Sequence, residues 1–432
     1  MSHWWPLAPA VAPVLLLADP VAYGNGSSTS TNISAADVAS VLLVVFCAVR
    51  LLRRRTRPLT PAAAVVLGVP AVGIAVATVT AGDPAAALPG FVRYVQIFVL
   101  VPAAVVLLLR DARDFRVLAG SFVVLAVIQG AFGVVQYATR TGASYMGSDI
   151  RAVGTFGPTD VMGMATVVAY GLVITTGVAL RPAGAAARRL RPAAIALALA
   201  LVVPLALSFS RGSWIATLLA GLVIVLFAGL RTASRVLCTL VAVAVVLIGG
   251  FGIGTELIQA RVSSITRVTD APDQSVTDRY TMWAAAVSMW RAEPATGVGL
   301  KGFPAHRDGD SSLGLSSGSD TEGAGRAFQR QPLLSPHNMY LLVLSEQGLT
   351  GITALAGSWA ALLVGSVRRL FAARRSRHSA EDCGLMAAGL MIWQTVDFLY
   401  ADIGGPSTAL TGIVFGLVAW WALTGPKTLS SV

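Results

Sequence analysis

Two arginines and a histidine, Arg211, Arg279 and His337, are the residues best suited to chemistry. Arg211 and His337 stand at the edges of long apolar runs and Arg279 opens an amphipathic segment, and none of the three lies in an arginine-rich segment. A charged side chain at the centre of a membrane helix costs about 2.5 to 3.5 kcal/mol on insertion scales, so ionisable residues at the ends of such runs are candidates for function. A guanidinium offers a fork of donors that fits phosphate oxygens, and a neutral imidazole can take a proton. Arg93 and Arg151 stand behind these three at comparable positions.

Arg211 sits in LSFSRGSW, between two apolar runs with almost no loop around it. Gly212 allows a tight re-entry, and Ser213 is expected to cap the following helix. Such a turn can hold a cation toward an anion, although the same residue also reads as a snorkelling helix anchor. Arg279 opens SVTDRYTMWAAAVSMWRAEP, where Tyr280, Trp283, Ala284, Val287 and Trp290 recur at helical spacing. Ser275 or Thr277 is expected to cap this helix and Pro294 to end it. It should lie on the outer membrane face with its Trp residues at headgroup level. Arg279 then falls in the first turn, where free N–H groups favour anions. A solvated arginine on an interfacial helix is the alternative.

In LLSPHNMYLLVLSEQGLTG, Ser335 suits the N-cap and Pro336 the first helical position, which predicts His337 in the first turn of a membrane-entering helix. The positive end of that helix and nearby arginines disfavour imidazolium, so the ring is expected to be neutral near pH 7, as a general base must be. A structural histidine bonded to backbone is the competing reading. His3, His306 and His378 have no comparable setting. Glu346 lies about 13 Å further along the same helix at 1.5 Å per residue. It reads as a buried partner for an arginine, since intramembrane acids usually pair, and Asp397 is open to the same choice between structure and function.

Other motifs are weaker. Asp308-Gly309-Asp310 resembles a metal-binding acid pair, but three residues in a Gly/Ser loop are a common chance match. Asn25-Gly26-Ser27 and Asn32-Ile33-Ser34 read as chance glycosylation-like triplets, and Cys47, Cys238 and Cys383 have no metal or disulfide spacing. No metal site and no cofactor is expected.

The elements that must position these residues are membrane helices. Only 12% of the 432 residues are charged, against about 25% in a soluble domain, and the mean hydropathy is +0.72. That excludes a soluble enzyme, a disordered chain and a secreted disulfide scaffold. The net charge of +11 comes from 30 arginines and two lysines, Lys301 and Lys427. It is better explained by basic residues at membrane interfaces than by a nucleic-acid partner.

Crossing the hydrocarbon core takes about 20 apolar residues. Runs of that kind lie near 5–22, 37–52, 62–82, 91–109, 115–138, 158–180, 192–209, 212–230, 233–254, 340–366, 384–402 and 406–424, which predicts twelve spans. The N-terminus lacks the basic region of a cleavable signal peptide, so its run reads as a first, irregular span. Segments 50–57, 110–116, 181–191, 231–235 and 368–377, with Lys427, hold 20 of the 32 basic residues, all on one side if the spans alternate. That side is the cytoplasm by the positive-inside rule.

The expected fold is therefore an all-α polytopic membrane protein. Residues 1–254 supply about nine helices, 255–336 an extracytoplasmic loop with an interfacial helix, and 337–432 about three helices. Within the loop, Asp308–Gly325 is Gly/Ser-rich and expected to be mobile.

An ordered set of motifs adds a resemblance. Ser210-Arg211-Gly212 comes first, then Arg279 with Trp283 and the following Pro294, Gly297 and Gly299. His337-Asn338 with Tyr340, Glu346, Gly348 and Gly351 completes it. In order, spacing and outer loop this resembles the O-antigen ligase and polymerase family, over roughly residues 150 to 400. RAVGTFGP from Arg151 is similar to another family segment, with Asp160 where an Asn is expected.

The resemblance implies a GT-C type membrane glycosyltransferase, metal-independent and inverting, in the bacterial cytoplasmic membrane with its site on the outer face. Its donor would be a glycan on a polyprenyl diphosphate such as undecaprenyl diphosphate. Its acceptor would be a glycan or lipid-glycan hydroxyl, in polysaccharide biosynthesis of the cell envelope. The family's paired arginines that bind diphosphate map to Arg211 and Arg279, and its essential histidine to His337. Arg93, Arg151, Asn338, Tyr340, Trp283 and Glu346 are expected around the substrate. Ligase, polymerase and protein oligosaccharyltransferase remain open, as does a lipid-linked glycan flippase or other transporter, which would place charges at the midplane and break helices in related halves.

Overall fold

The computed structural model describes residues 5–18, 34–54, 59–145, 150–157, 160, 162–181, 187–245, 274–312, 314–375 and 380–424. Helices stand where apolar runs meet good caps. The helix α1 (Ala8–Leu15) is followed by α2 (Ala35–Arg54), and α3 (Pro61–Val79) starts with Pro61 behind the N-cap Thr60, whose hydroxyl accepts from Ala63 N at 3.2 Å. Asp83 caps α4 (Pro84–Val95) and Asp111 caps α6 (Ala112–Ala138) in the same way. Between them a π-helical turn, Gln96–Leu100, links α4 to α5 (Val101–Leu108). Then come α7 (Gly163–Leu180), α8 (Ala187–Leu207), α9 (Arg211–Phe227), α10 (Leu230–Val245), α11 (Gln274–Ala292), α12 (Phe303–Asp310), α13 (Met339–Arg375), α14 (Glu381–Asp397) and α15 (Thr408–Ala419).

A helix occupies each of the twelve apolar runs. Parts of the runs 5–22 and 233–254 lie outside the described residues, as do Lys427 and the two Asn triplets. Among the described residues, seven helical stretches are long and apolar enough to cross a membrane: Ala35–Arg53, Pro61–Val79, Pro84–Leu108, Ala112–Ala138, Gly163–Leu180, Arg189–Leu207 and Met339–Arg375. The apolar helices Ala8–Ala18, Arg211–Phe227 and Thr408–Thr424 are shorter.

The core runs through α7, whose Tyr170 is fully buried and meets Trp393 of α14 edge-on, with ring centroids 4.8 Å apart. A second aromatic nucleus stacks Trp359 of α13 between Phe398 and Phe415, at 5.0 and 5.6 Å. Such pairs add to plain area burial, and here they join three elements far apart in sequence.

The two ends of the bundle differ in chemistry. At one end, segments expected on the basic side converge on the start of α14. Asp382 takes Arg116 at 2.6 Å, and Glu381 takes Arg181 at 3.3 Å and Arg374 at 3.8 Å. Arg374 also donates to Ala228 O at 2.7 Å. The other end collects the starts of α9 and α13 and the turn after α14.

The helix α13 is two helices in one. Gly348 has φ 61° and ψ −159°, a region essentially reserved for glycine, so the chain breaks between Gln347 and Leu349. The donors and acceptor exposed by this break are met by the strand of chain after α11. Leu349 N donates to Pro294 O at 2.9 Å, Thr350 N to Ala295 O at 3.1 Å, and Val298 N to Ser345 O at 2.9 Å. The fit is close, since a Cβ on Gly348 would lie 2.5 Å from the Ala295 carbonyl, and one on Gly297 2.5 Å from Ser345 O. Gly348→Ala adds backbone strain to a clash and is expected to cost about 3 kcal/mol. Thermal melting of the purified protein in detergent measures it, and an unchanged midpoint would mean that α13 can straighten.

Two expectations need correction here. The fold is not wholly helical, because β1 (Ala143–Tyr145), β2 (Ser319–Gly323) and β3 (Arg326–Gln331) form an antiparallel sheet in the order β1-β2-β3. The stretch Asp308–Gly325, expected to be mobile, ends α12 and builds β2. Its glycines serve the turn, with Gly323 and Gly325 at φ 94° and 78°. Long-range bonds hold it: Asp278 accepts from Ser316 N at 2.8 Å and Ser316 Oγ at 2.6 Å, and Asp320 pairs with Arg330 at 2.7 Å. Composition alone could not reveal those partners.

Candidate functional site

The turn after α14 assembles the site. Phe398 and Ala401 both present their carbonyls to Met339 N, at 2.9 and 3.0 Å. Asn338 donates from Nδ2 to Leu399 O at 3.1 Å, while its Oδ1 accepts from Leu341 N at 3.1 Å. Asn338 is therefore the N-cap, three residues later than the Ser335 predicted for that role. An asparagine that bonds both the helix and the facing turn wins over a serine that offers one weaker cap. His337 consequently lies just outside α13, half-buried, with φ 48°.

The same turn receives α9. A Cβ on Gly212 would approach Tyr400 to 2.9 Å, so the glycine lets the start of α9 sit against the turn. Arg211 is the first residue of α9 and exposed. Its helix is capped by Ser210, which accepts from Ser213 N at 3.3 Å, whereas Ser213 had been expected to cap. A cation at a helix N-terminus opposes the macrodipole at a cost of about 0.3 to 1 kcal/mol. Helix stability does not account for Arg211.

Arg279 arrives through α11. Trp283, one turn further on, donates its indole N–H to Pro336 O at 2.8 Å, which ties α11 to the residue before His337. The chain is already helical at Gln274, so Arg279 belongs to the second turn and not to the first, and capping by Ser275 or Thr277 does not occur. The aromatic stripe is also displaced. The buried face is Asp278, Thr281, Met282, Ala285, Ala286 and Met289, packed on Phe303, Leu333 and Leu342, while Tyr280 is 62% exposed. The methionines and alanines face the protein because α12 and α13 supply their partners, which periodicity alone could not foresee.

Contacts thus bring the segments of Arg211, Arg279 and His337 to one end of the bundle. Among the described residues, neither arginine makes an ion pair. Asp160 lies at this end as well, accepting from Ser407 Oγ at 3.2 Å, and burial pushes its carboxyl up to about 6.

The residues expected around the substrate are mostly committed elsewhere. Arg93 pairs with Asp37, whose other oxygen accepts from Ser34 N and Oγ. Tyr340 donates to Thr395 O at 2.7 Å and sets its ring on Trp359, joining α13 to α14. Asn338 and Trp283 have the positioning bonds given above. Arg151 forms a backbone bridge with Ala143 beside the sheet, and Ala152 N donates to Leu207 O at 3.1 Å, close to the start of α9. Glu346 is 1% exposed and, among the described residues, makes no ion pair with an arginine; its Oε1 accepts from Phe303 N at 3.3 Å. Asp397 is buried with Oδ1 unmet. Asp308 pairs with Arg307, which holds its carboxyl below the usual range, and Asp310 accepts from Ser288 Oγ at 2.7 Å. No group of three His, Cys, Asp or Glu suited to a metal occurs among the described residues.

Tyr94, Lys301 and Asp402 were not singled out by the sequence reading, and Gly348 entered it only as part of the family motif. The EQGLTG string held a signal for the helix break, but nothing marked the buried phenol of Tyr94.

Among the described residues, seven helical stretches long and apolar enough to cross a bilayer fit a polytopic helical membrane protein. Residues 194–356 match the family model described as O-antigen ligase, a segment running from α8 into α13 that contains Arg211, Arg279 and His337. Over that segment, less than half of the chain, the protein is similar to the O-antigen ligase family. No curated protein matches it.

Proposed function

We propose that this protein is a GT-C type glycosyltransferase with twelve spans in the bacterial cytoplasmic membrane. It moves a glycan from a polyprenyl diphosphate to an acceptor hydroxyl at the outer face, with inversion and without a metal. One observation carries the reading: the family segment contains Arg211, Arg279 and His337, and the turn at 398–402 and the Trp283–Pro336 bond draw their three elements together.

The chemistry follows from the side chains. Arg211 and Arg279 hold the donor diphosphate through bidentate bonds and stabilise the charge that grows on it as the sugar leaves. His337 takes the proton of the acceptor hydroxyl. The acceptor oxygen bonds to the anomeric carbon from the opposite face, and the bond to the diphosphate breaks, its electron pair leaving with polyprenyl diphosphate. Trp283 and Asn338 act as positioning residues for the His337 segment.

The broken helix α13 favours a second reading, a lipid-linked glycan flippase, since discontinuous helices often line transport sites. Reconstitution in vesicles with labelled polyprenyl diphosphate-linked glycan and candidate acceptors separates the two. Transfer is expected, as a ladder for a polymerase and a single shift for a ligase. Transbilayer movement of the intact lipid, with no transfer to glycan, lipid-glycan or protein acceptors, would replace this proposal with the flippase.

A further inference from the structure

Arg279 stands beside an acid whose place on α11 has no explanation in stability. Asp278 is 2% exposed and makes no ion pair among the described residues. A carboxyl buried without a cation costs more than an apolar side chain would. What it supplies is direction. Its Oδ1 accepts from Ser316 N at 2.8 Å and from Gln274 Nε2 at 2.8 Å, and its Oδ2 accepts from Ser316 Oγ at 2.6 Å. Gln274 Nε2 also donates to Gly314 O at 3.1 Å, so the first turn of α11 is pinned to the same segment. Successive residues of a helix point about 100° apart, so fixing Asp278 fixes the direction in which Arg279 leaves the helix.

The chain beyond Ser316 leads on toward Arg211. It enters β2, whose Gly323 faces Ala143 of β1, and Ala324 N donates to Gly142 O at 3.0 Å. Ala143 exchanges two backbone bonds with Arg151, at 3.0 and 2.8 Å, and Ala152 N donates to Leu207 O at 3.1 Å. Leu207 ends α8, in the turn before Arg211 opens α9. Gln136 Oε1 holds this path to α6 by accepting from Val153 N at 3.1 Å and from Gly154 N at 2.9 Å. A line of covalent and hydrogen bonds thus runs from Asp278 through the sheet to the turn before α9. It is separate from the contacts of Gly212 with Tyr400 and of Trp283 with Pro336.

Resting on the reading of Arg211 and Arg279 as the diphosphate clamp, we propose that Asp278 is a positioning residue for Arg279. Its bonds to Ser316, carried through the sheet, hold the two arginines at the spacing of a diphosphate. The clamp therefore selects a polyprenyl diphosphate over a polyprenyl monophosphate. A diphosphate offers one phosphoryl group to each guanidinium fork, whereas a single arginine suffices for a monophosphate. Selection of this kind depends on fixed geometry, and a small displacement of either arginine removes it.

Equilibrium binding of polyprenyl diphosphate and of polyprenyl monophosphate to the full-length protein in detergent tests it, with melting temperature read alongside. Wild type is expected to favour the diphosphate. Asp278→Ala should weaken diphosphate binding about tenfold and leave monophosphate binding within about twofold, the scale of one lost charge-assisted hydrogen bond. Asp278→Asn should keep the preference, because its amide can donate to Ser316 Oγ while that hydroxyl turns to Gly318 O, 3.2 Å away. In an Arg279→Ala background, Asp278→Ala should add nothing. Gly323→Val puts a branched residue at φ 94° with its Cβ 2.5 Å from Gly142 O, and should reproduce the loss from the other end of the sheet. Should Asp278→Ala or Gly323→Val fail to fold, Ser316→Ala decides, with a loss of about threefold since its backbone bond remains. A diphosphate preference intact in folded Asp278→Ala, even with a lower melting temperature, would make Asp278 structural only and overturn the proposal. So would a further loss in the Arg279→Ala background, or a loss in Asp278→Asn as large as in Asp278→Ala, which would assign the effect to charge. Failure of the functional reading looks different: Arg279→Ala itself would leave diphosphate binding unchanged, and both would fall.

Discussion

Purified His337→Asn protein is expected to bind lipid-linked donor as wild type does and to transfer its glycan about 10²- to 10⁴-fold more slowly, the range supplied by a positioned general base. Asparagine is the informative replacement because His337 holds φ 48°, a left-handed conformation that asparagine tolerates far better than alanine. Alanine would mix loss of the base with distortion of the bond between Trp283 and Pro336 and of the Asn338 cap. Donor binding, melting temperature and single-turnover transfer are the measurements. Wild-type transfer by a well-folded His337→Asn protein would remove the base assignment and leave His337 a structural residue at a helix start.

Arg211→Ala and Arg279→Ala form the second large effect, each lowering transfer about 10²- to 10³-fold, as removal of a transition-state charge stabiliser does. Lysine at either position should recover only part of the loss, since a point charge replaces a bidentate fork. Stability is expected to behave differently. Arg211 opposes the dipole of α9, so its alanine variant should melt no lower than wild type. Donor affinity unchanged in Arg211→Ala would show that the diphosphate is held elsewhere. These two variants also bear on how the site is assembled, because α9 and α11 reach it by different routes: Gly212 against Tyr400, and Trp283 against Pro336.

Much of this was legible in the chain itself, because hydropathy acts locally. A run of apolar residues must bury its backbone polar groups in a helix whatever its neighbours are, and every such run carries one. The arginine-rich ends were equally readable, and Arg116, Arg181 and Arg374 do gather at one end of the bundle. The ordered motif also led to the family whose model matches residues 194–356.

The misreadings came from partners distant in sequence. Arg93 looked available until Asp37, 56 residues earlier, was found beside it. Ser335 looked like the cap until Leu399 supplied Asn338 with its second bond. The Gly/Ser stretch looked loose until Asp278 and Arg330 secured it.

The sequence by itself determined which segments become helices, which of their ends are basic, and that two arginines and a histidine stand apart from the rest. Only the tertiary structure decided where α13 breaks, which residue begins it and which charges are already paired. The physical reason is one of range: apolar burial and helix formation act within a segment, whereas a cap, an ion pair or a break filled by another strand depends on which atoms the whole fold brings together.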